Sequence, residues 1–390
     1  MRALRGRGLR ASLTLAAIVA TPLATAGVSA RAVTPVSPQA PNACTMFRAD
    51  QAHKPGHFAG VVRAMPAKAS TKALCRAHKL SDAAVGTPPL IFHGGPVMGT
   101  TSTGPLVITP IFWNPAGHPM TAAYKAIITA YVTDVAHDSG LHTNVFSTLT
   151  EYSGSNGTIN YQVVAGTAIS DTNSLPRSGC RVARNDATGI YADNTGYNAC
   201  LDDAQIQAET NKVIAAHGLP KNLAHVYVLF LPKGVESCFN SGSTTTSGNA
   251  CTINHQPSAA FCAYHSEGAA TLIYGNLAFP VYSSPTGFTC GSDAKFPAVE
   301  APNGNPDADT EVSPTSHEIM EATTDPDTST GWFDSSGFEN GDECAFVYGA
   351  TSGTAGALHN QTINGHNYLT QEEFSNRDFS VTGLGCLPFE

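Results

Sequence analysis

The chain runs to 390 residues with a formal charge of −9, and its Lys and Arg are scattered, which makes it a poor candidate for nucleic-acid binding. Only 13% of its residues are charged, and it is rich in Gly, Ser, Thr and Asn, as suits a secreted, loop-rich surface. Beyond the N-terminal region no segment is apolar for long enough to span a bilayer.

Residues 1–30 read as an export signal. Arg2, Arg5, Arg7 and Arg10 form a basic start, Ala11 to Val28 is small and apolar, and Val28-Ser29-Ala30 resembles a cleavage site. Pro22 interrupts the apolar run, which argues against a retained anchor, and the absence of an adjacent Arg pair before it favours general secretion over the twin-arginine route. Cleavage would remove four Arg and no acid, taking the formal charge from −9 to −13. A mature chain of about 360 residues could bury a large core, as one elaborated domain or two. Residues 31–86 form an extended leader or lead-in segment: Pro35, Pro38 and Pro41 make a tether, and 43–86 is small, polar and weakly periodic. The body of the protein is then a single domain over 87–390.

All 10 cysteines follow the cleavage site. An even number in an exported chain reads first as disulfides, and pairing sequence neighbours predicts 44–75, 180–200, 238–251, 262–290 and 344–386. No CxxC spacing supports a cysteine-bound metal.

Leu90 to Phe92 and Leu106 to Phe112 read as strands joined by a Gly-rich turn. Pro119 opens a helix to about Asp138, with Ile127, Tyr131 and Val135 in one apolar row, and Gly140 ends it. Ile159 to Val164 alternates like a half-buried strand. Asp202 or Asp203 caps a second helix through His217, closed by Gly218. Val226 to Leu231 is a continuous apolar run, a buried strand. Thr271 to Phe279 predicts another strand, at a sheet edge in view of Pro280.

Then comes Ser316-His317-Glu318-Ile319-Met320-Glu321. A His and a Glu four residues apart share a helix face, and Glu318 points toward its neighbouring edge. That pattern offers two metal ligands, His317 and Glu321, and a general base, Glu318, to one point in space. The spelling is HExxE, not the HExxH of familiar zinc peptidases. Ser313-Pro314 predicts the start of this helix and Pro326 its end, giving 313–325. A third ligand has to come from the Gly- and Asp-rich segment that follows, where Glu339 and Asp342 are the candidates. His265 could be a ligand, an electrophile or a substrate contact. Asp307, Asp309 and Glu311 before the helix, and Asp325 and Asp327 after it, read as solvated turns. His93-Gly94-Gly95 resembles an esterase oxyanion loop, but without a G-x-S-x-G elbow it reads as a turn. Asn156 and Asn360 open glycosylation sequons. The fold class is α+β, a mixed sheet with packed helices and an irregular, disulfide-held C-terminal part at 326–390. The order of elements matches that of a zincin-like core.

Several segments together resemble the phosphate-induced protein 1 (EXORDIUM-like) family, closest to its secreted microbial relatives. They are His93-Gly94-Gly95-Pro96-Val97-Met98, Ile108 to Trp113, Phe261-Cys262-Ala263-Tyr264-His265, and Ser316-His317-Glu318 with Asp325-Pro326. Glu339-Asn340-Gly341-Asp342-Glu343-Cys344, Tyr348-Gly349, Asn364-Gly365 and Tyr368-Leu369 complete the set. The resemblance implies an extracellular protein linked to cell walls, and it favours Glu339 over Asp342 as the third ligand because the family keeps Glu339. Together these readings predict a secreted zinc-dependent hydrolase, foremost a peptidase, with a peptide, protein or cell-wall substrate. In its mechanism Glu318 takes the proton of a zinc-activated water, and His265 or Tyr264 steadies the oxyanion. Ca²⁺ or Mn²⁺ would also suit a carboxylate-rich set. The rival from another class is a catalytically silent extracellular or cell-wall-associated binding protein on the same fold.

Overall fold

A computed structural model describes residues 59–63, 65–66, 87–176, 179–180, 199–240, 250–252, 261–280, 282 and 288–389. The expected export signal, the proline tether and the Cys44–Cys75 pair lie outside the described residues.

The centre of the fold is a 7-stranded mixed sheet. Its strands are β1 (Ala59–Arg63), β2 (Leu106–Trp113), β3 (Val163–Ala165), β4 (Ile169–Asp171), β5 (His225–Phe230), β6 (Phe261–Gly268) and β7 (Leu272–Leu277). The spatial order is β1-β6-β7-β5-β2-β3, with β4 also paired to β2. β7, β5, β2, β3 and β4 run parallel, while β6 is antiparallel to both β7 and β1. Pro110 has no N–H, yet it lies mid-strand in β2. Ile108 accepts from Gly166 across the β3 side, so by alternation Pro110 faces the break between β3 and β4, where no ladder bond is lost.

Helices α1 (Ala122–His137) and α3 (Pro306–Thr324) cover one face of the sheet, and α2 (Asp203–His217) covers the other. The continuous apolar run of β5 follows from this double covering. Val226, Val228 and Phe230 join the α1/α3 core, whereas Tyr227, Leu229 and Leu231 join the α2 core. Of the two predicted caps of α2, Asp202 is the one used: it forms a reciprocal capping box with Gln205, and Gly218 closes the helix after His217 at φ 62° as expected.

Several expectations are corrected. The strand at 271–279 is interior, between β6 and β5; the edge next to it is built by β6 and by β1, a piece of the lead-in segment. Of Ile159–Val164 only Val163 onward enters the sheet, and Ile91–Phe92 pairs with Trp332–Phe333 instead of Leu106–Trp113. The HExxE helix begins not at Ser313 but at Pro306. Asn305 caps it by accepting from the Ala308 N–H at 3.2 Å, with Pro306 in the first turn, so Asn-Pro and not Ser-Pro is the start signal. Pro314 is inside the helix, where it leaves the Thr310 carbonyl without its helical donor. Asp309 and Glu311 are therefore helical and buried, not solvated turns. Asp309 accepts from the backbone N–H groups of Asn303 and Asn305, while both Glu311 oxygens are buried without a hydrogen-bond partner.

Four disulfides, Cys180–Cys200, Cys238–Cys251, Cys262–Cys290 and Cys344–Cys386, match sequence-neighbour pairing. Both sequon asparagines have structural work. The Asn156 amide bonds both backbone groups of Val97, and Asn360 donates to the carbonyls of Tyr348 and Thr370. Among the described residues no helix is long and apolar enough to cross a membrane.

Candidate metal centre

Helix α3 is buried along its length from Ala308 to Thr324, polar residues included. Val312, Ile319 and Met320 pack into the core, which turns His317, Glu318 and Glu321 toward β6 and the chain that returns after Pro326. On β6, Ala263 faces α3, so His265, two residues on, takes the same face. Tyr264 takes the other, where its hydroxyl donates to Asp203 at 2.8 Å; it is no oxyanion donor for this site. The chain after α3 folds back through a short turn at Asp342–Cys344, fastened by the Cys344–Cys386 disulfide and by Gln371, which donates to the Gly341 carbonyl at 2.7 Å.

These elements bring together two donor groups that share one carboxylate. In the first, His317 Nε2 is 2.9 Å from Glu321 Oε1 and 3.7 Å from Asp342 Oδ1. In the second, His265 Nδ1 is 3.3 Å from Glu318 Oε2 and 3.8 Å from Glu321 Oε2. In each trio the candidate ligand atoms lie within 4.8 Å of one another. Ligands at zinc bond lengths of about 2.0–2.2 Å stand roughly 3.4 Å apart on a tetrahedron, so both groups have the spacing of a divalent-cation site. Glu339, the expected third ligand of His317, belongs to neither group: its Oε1 lies 3.8 Å from His265 Nε2. Asp342 reaches His317 instead, because Gly341 lets the turn close directly over the imidazole.

Nearly all of this is out of water. His265, His317, Glu318, Glu321 and Glu339 are buried, and the Asp342 side chain is 10% exposed. The site is therefore enclosed, and β1 runs along its β6 side with Ala59 opposite His265. A surface cavity of about 660 Å³ lies along α1 and shares no residue with the centre.

The hydrogen bonding is incomplete in an informative way. His265 Nε2 is 3.2 Å from the Asp325 carbonyl, which can only accept, so this nitrogen carries the proton and Nδ1 faces two carboxylate oxygens. A histidine that donates one N–H to a backbone carbonyl while presenting its other nitrogen to acids is arranged as metal ligands are. Although His317 Nε2 is at ion-pair distance from Glu321, neither His317 nitrogen makes a well-directed hydrogen bond, nor do Glu321 Oε2 or either oxygen of Glu339. Unpaired buried polar atoms are costly and rare.

The electrostatics agree. Burial alone would lower the pKa of His317, but the Glu321 carboxylate, with Glu318 and Asp342, overrides it and holds the ring well above its usual range. Burial, then the charges of Glu321, Asp325 and Asp342, pushes Glu339 well above the carboxylate range. Glu373, which the sequence did not single out, is likewise raised by burial, although His317 beside it works in the opposite sense. Nothing in its local pattern marks Glu373; only the fold brings it under His317.

No protein-family model, curated protein or solved structure matches the chain.

Proposed function

We propose that the protein is a secreted metal-dependent hydrolase acting on peptide or amide bonds, with zinc as the first candidate and Glu318 as its general base. The observation that supports it most is the meeting of His317 and Glu321 from α3 with Asp342 from a separate turn, at the separations a divalent cation requires. The strand and helix order, with an antiparallel strand next to the helix that carries HExxE, is in keeping with a zincin-like core. The EXORDIUM-like resemblance adds the extracellular setting. When bound, the cation would acidify a water and polarise the scissile carbonyl. His317, Glu321 and Asp342 would hold it. Glu318, adjacent to His317 and within 3.3 Å of His265, accepts the proton of the attacking water and passes it to the leaving amine. His265, its Nε2–H fixed on the Asp325 carbonyl, keeps the Glu318 carboxylate in place. An extended peptide could pair along β6 only where β1 now lies, so the lead-in segment has to yield for such a substrate to bind.

Enclosure of the donors favours a second reading, a catalytically silent extracellular protein that uses a metal to hold its fold. One experiment separates the two. The purified secreted protein, loaded with Zn²⁺, is assayed against a quenched fluorescent peptide library beside Glu318→Gln. On the hydrolase reading, wild type cleaves, and the variant loses about 10²–10⁴-fold in rate while the His317 site keeps its cation. Metal bound without cleavage selects the silent protein that a metal holds together; no metal bound removes the hydrolase and leaves the silent extracellular binding protein.

A further inference from the structure

The two donor groups use different oxygens of the same carboxylate. Glu321 Oε1 belongs with His317 and Asp342, and Glu321 Oε2 belongs with His265 and Glu318. The two imidazoles come from different elements, α3 and β6, and neither reaches the other's group.

We propose that this pocket is a two-cation centre in which Glu321 bridges the ions, one held by His317 and Asp342, the other by His265 and Glu318; this rests on the metal reading above and extends it. Three features carry it. First, a syn-syn bridging carboxylate serves ions about 3.5–4 Å apart, the spacing of two-metal hydrolytic sites, and Glu321 presents its two oxygens to opposite donor groups as such a bridge must. Second, each histidine turns a ring nitrogen to the acids: His265 donates Nε2–H to the Asp325 carbonyl and presents Nδ1 to Glu318 and Glu321, while neither His317 nitrogen has a well-directed hydrogen bond. Third, Glu321 Oε2 is buried without a hydrogen-bond partner although its sister Oε1 accepts from the Asp342 N–H at 2.8 Å, so the unsatisfied oxygen is the one on the His265 side.

One ion at the His317 group would leave Glu321 Oε2 buried without a partner. A second cation would meet that oxygen together with His265 Nδ1 and Glu318 Oε2, which already lie within reach of it. The donor sets are one imidazole plus carboxylates on each side, which suits Zn²⁺ or Mn²⁺ better than a thiolate-seeking ion. Glu318 then ligates through Oε2 and retains Oε1 for proton transfer.

The test is stoichiometry and magnetic coupling, neither of which needs a substrate. Secreted, disulfide-intact protein is stripped with chelator and dialysed to equilibrium against Zn²⁺ or Mn²⁺, and bound metal is measured by mass spectrometry. Two equivalents are expected in wild type, and one each in His265→Gln and His317→Gln. The Mn²⁺-loaded wild type should give an exchange-coupled multiline electron paramagnetic resonance spectrum, which collapses to the six lines of an isolated ion in His265→Gln. Because the spectrum of the wild type decides the matter by itself, the proposal stands or falls even if a variant misfolds. One equivalent with an uncoupled six-line signal overturns the two-cation centre and leaves the single-metal hydrolase intact. No bound metal overturns both.

Discussion

Gly341→Ala tests the geometry of the centre without removing a charge or a ligand. Gly341 has φ −75° and ψ −41°, which alanine adopts without strain, so any effect comes from the added methyl. A Cβ there would lie 2.9 Å from Glu321 Oε1, from His317 Cγ and from His317 Nδ1. Unstrained heavy-atom contacts with carbon fall at about 3.5–4.0 Å, so roughly 0.6 Å or more of relief is needed. Neither side yields cheaply: His317 stands on a buried helix, and the Gly341 turn is held by Gln371 and by the Cys344–Cys386 disulfide. Overpacking of this kind costs about 1–3 kcal/mol, and the stiffer unfolded chain returns about 0.4–1 kcal/mol, for a net loss of about 1–2 kcal/mol. The larger consequence concerns the metal. Ligand positions tolerate only about 0.2 Å, so a displaced ring should weaken binding by at least about 10-fold. Urea denaturation of the stripped protein measures the first quantity, and competition with a fluorescent zinc chelator measures the second. Gly117→Ala, where a Cβ meets nothing within 4 Å, is the neutral control. A destabilised Gly341→Ala that binds zinc as tightly as wild type would show that His317 and Glu321 do not hold the ion.

Two further outcomes follow from the same structure. Burial raises Glu372 to about 7, and burial with Asp334 and Asp342 raises Glu343 to about 8, against an ordinary 4.5. Folded protein thus keeps protons that the unfolded chain has released, so this stability is complete below about pH 4.5 and is lost as pH climbs through 7 and 8. Metal-free protein should therefore have a higher urea midpoint at pH 5 than at pH 8, while zinc, which needs deprotonated ligands, should reverse the order; a metal-free midpoint that rises with pH refutes the burial of these carboxyls. Replacing Cys344 and Cys386 together by Ser opens a bridge of sequence separation 42, which chain entropy values at about 4 kcal/mol, and it should also loosen the Asp342 turn. If calorimetry and the chelator assay both change by less than the error, the turn is held by other contacts.

Local signals settled those parts of the molecule that depend on near neighbours in the chain. The α2 boundaries follow from Asp202, Gln205 and Gly218, whose capping geometry is complete within a few residues. β5 follows from an apolar run that only a doubly covered strand can bury. His317 and Glu321 share a helix face because four residues make about one turn, and four disulfides join cysteines that are neighbours in sequence. Tertiary structure decided the rest. Asn305-Pro306 and Ser313-Pro314 are equally good starts in one dimension, and the longer helix won because five more residues, Ala308 to Val312, could be buried. Which loop acid meets His317 depended on Gly341 placing the backbone of Asp342 against the ring, a contact across 25 residues that no periodicity records. That His265 joins the same carboxylate from the far side is a matter of sheet order: β6 had to be the strand beside α3, with its odd-numbered residues facing it. Side-chain pattern specifies faces and ends; only packing specifies which faces meet, because the free energy that selects them belongs to the buried whole and not to any one segment.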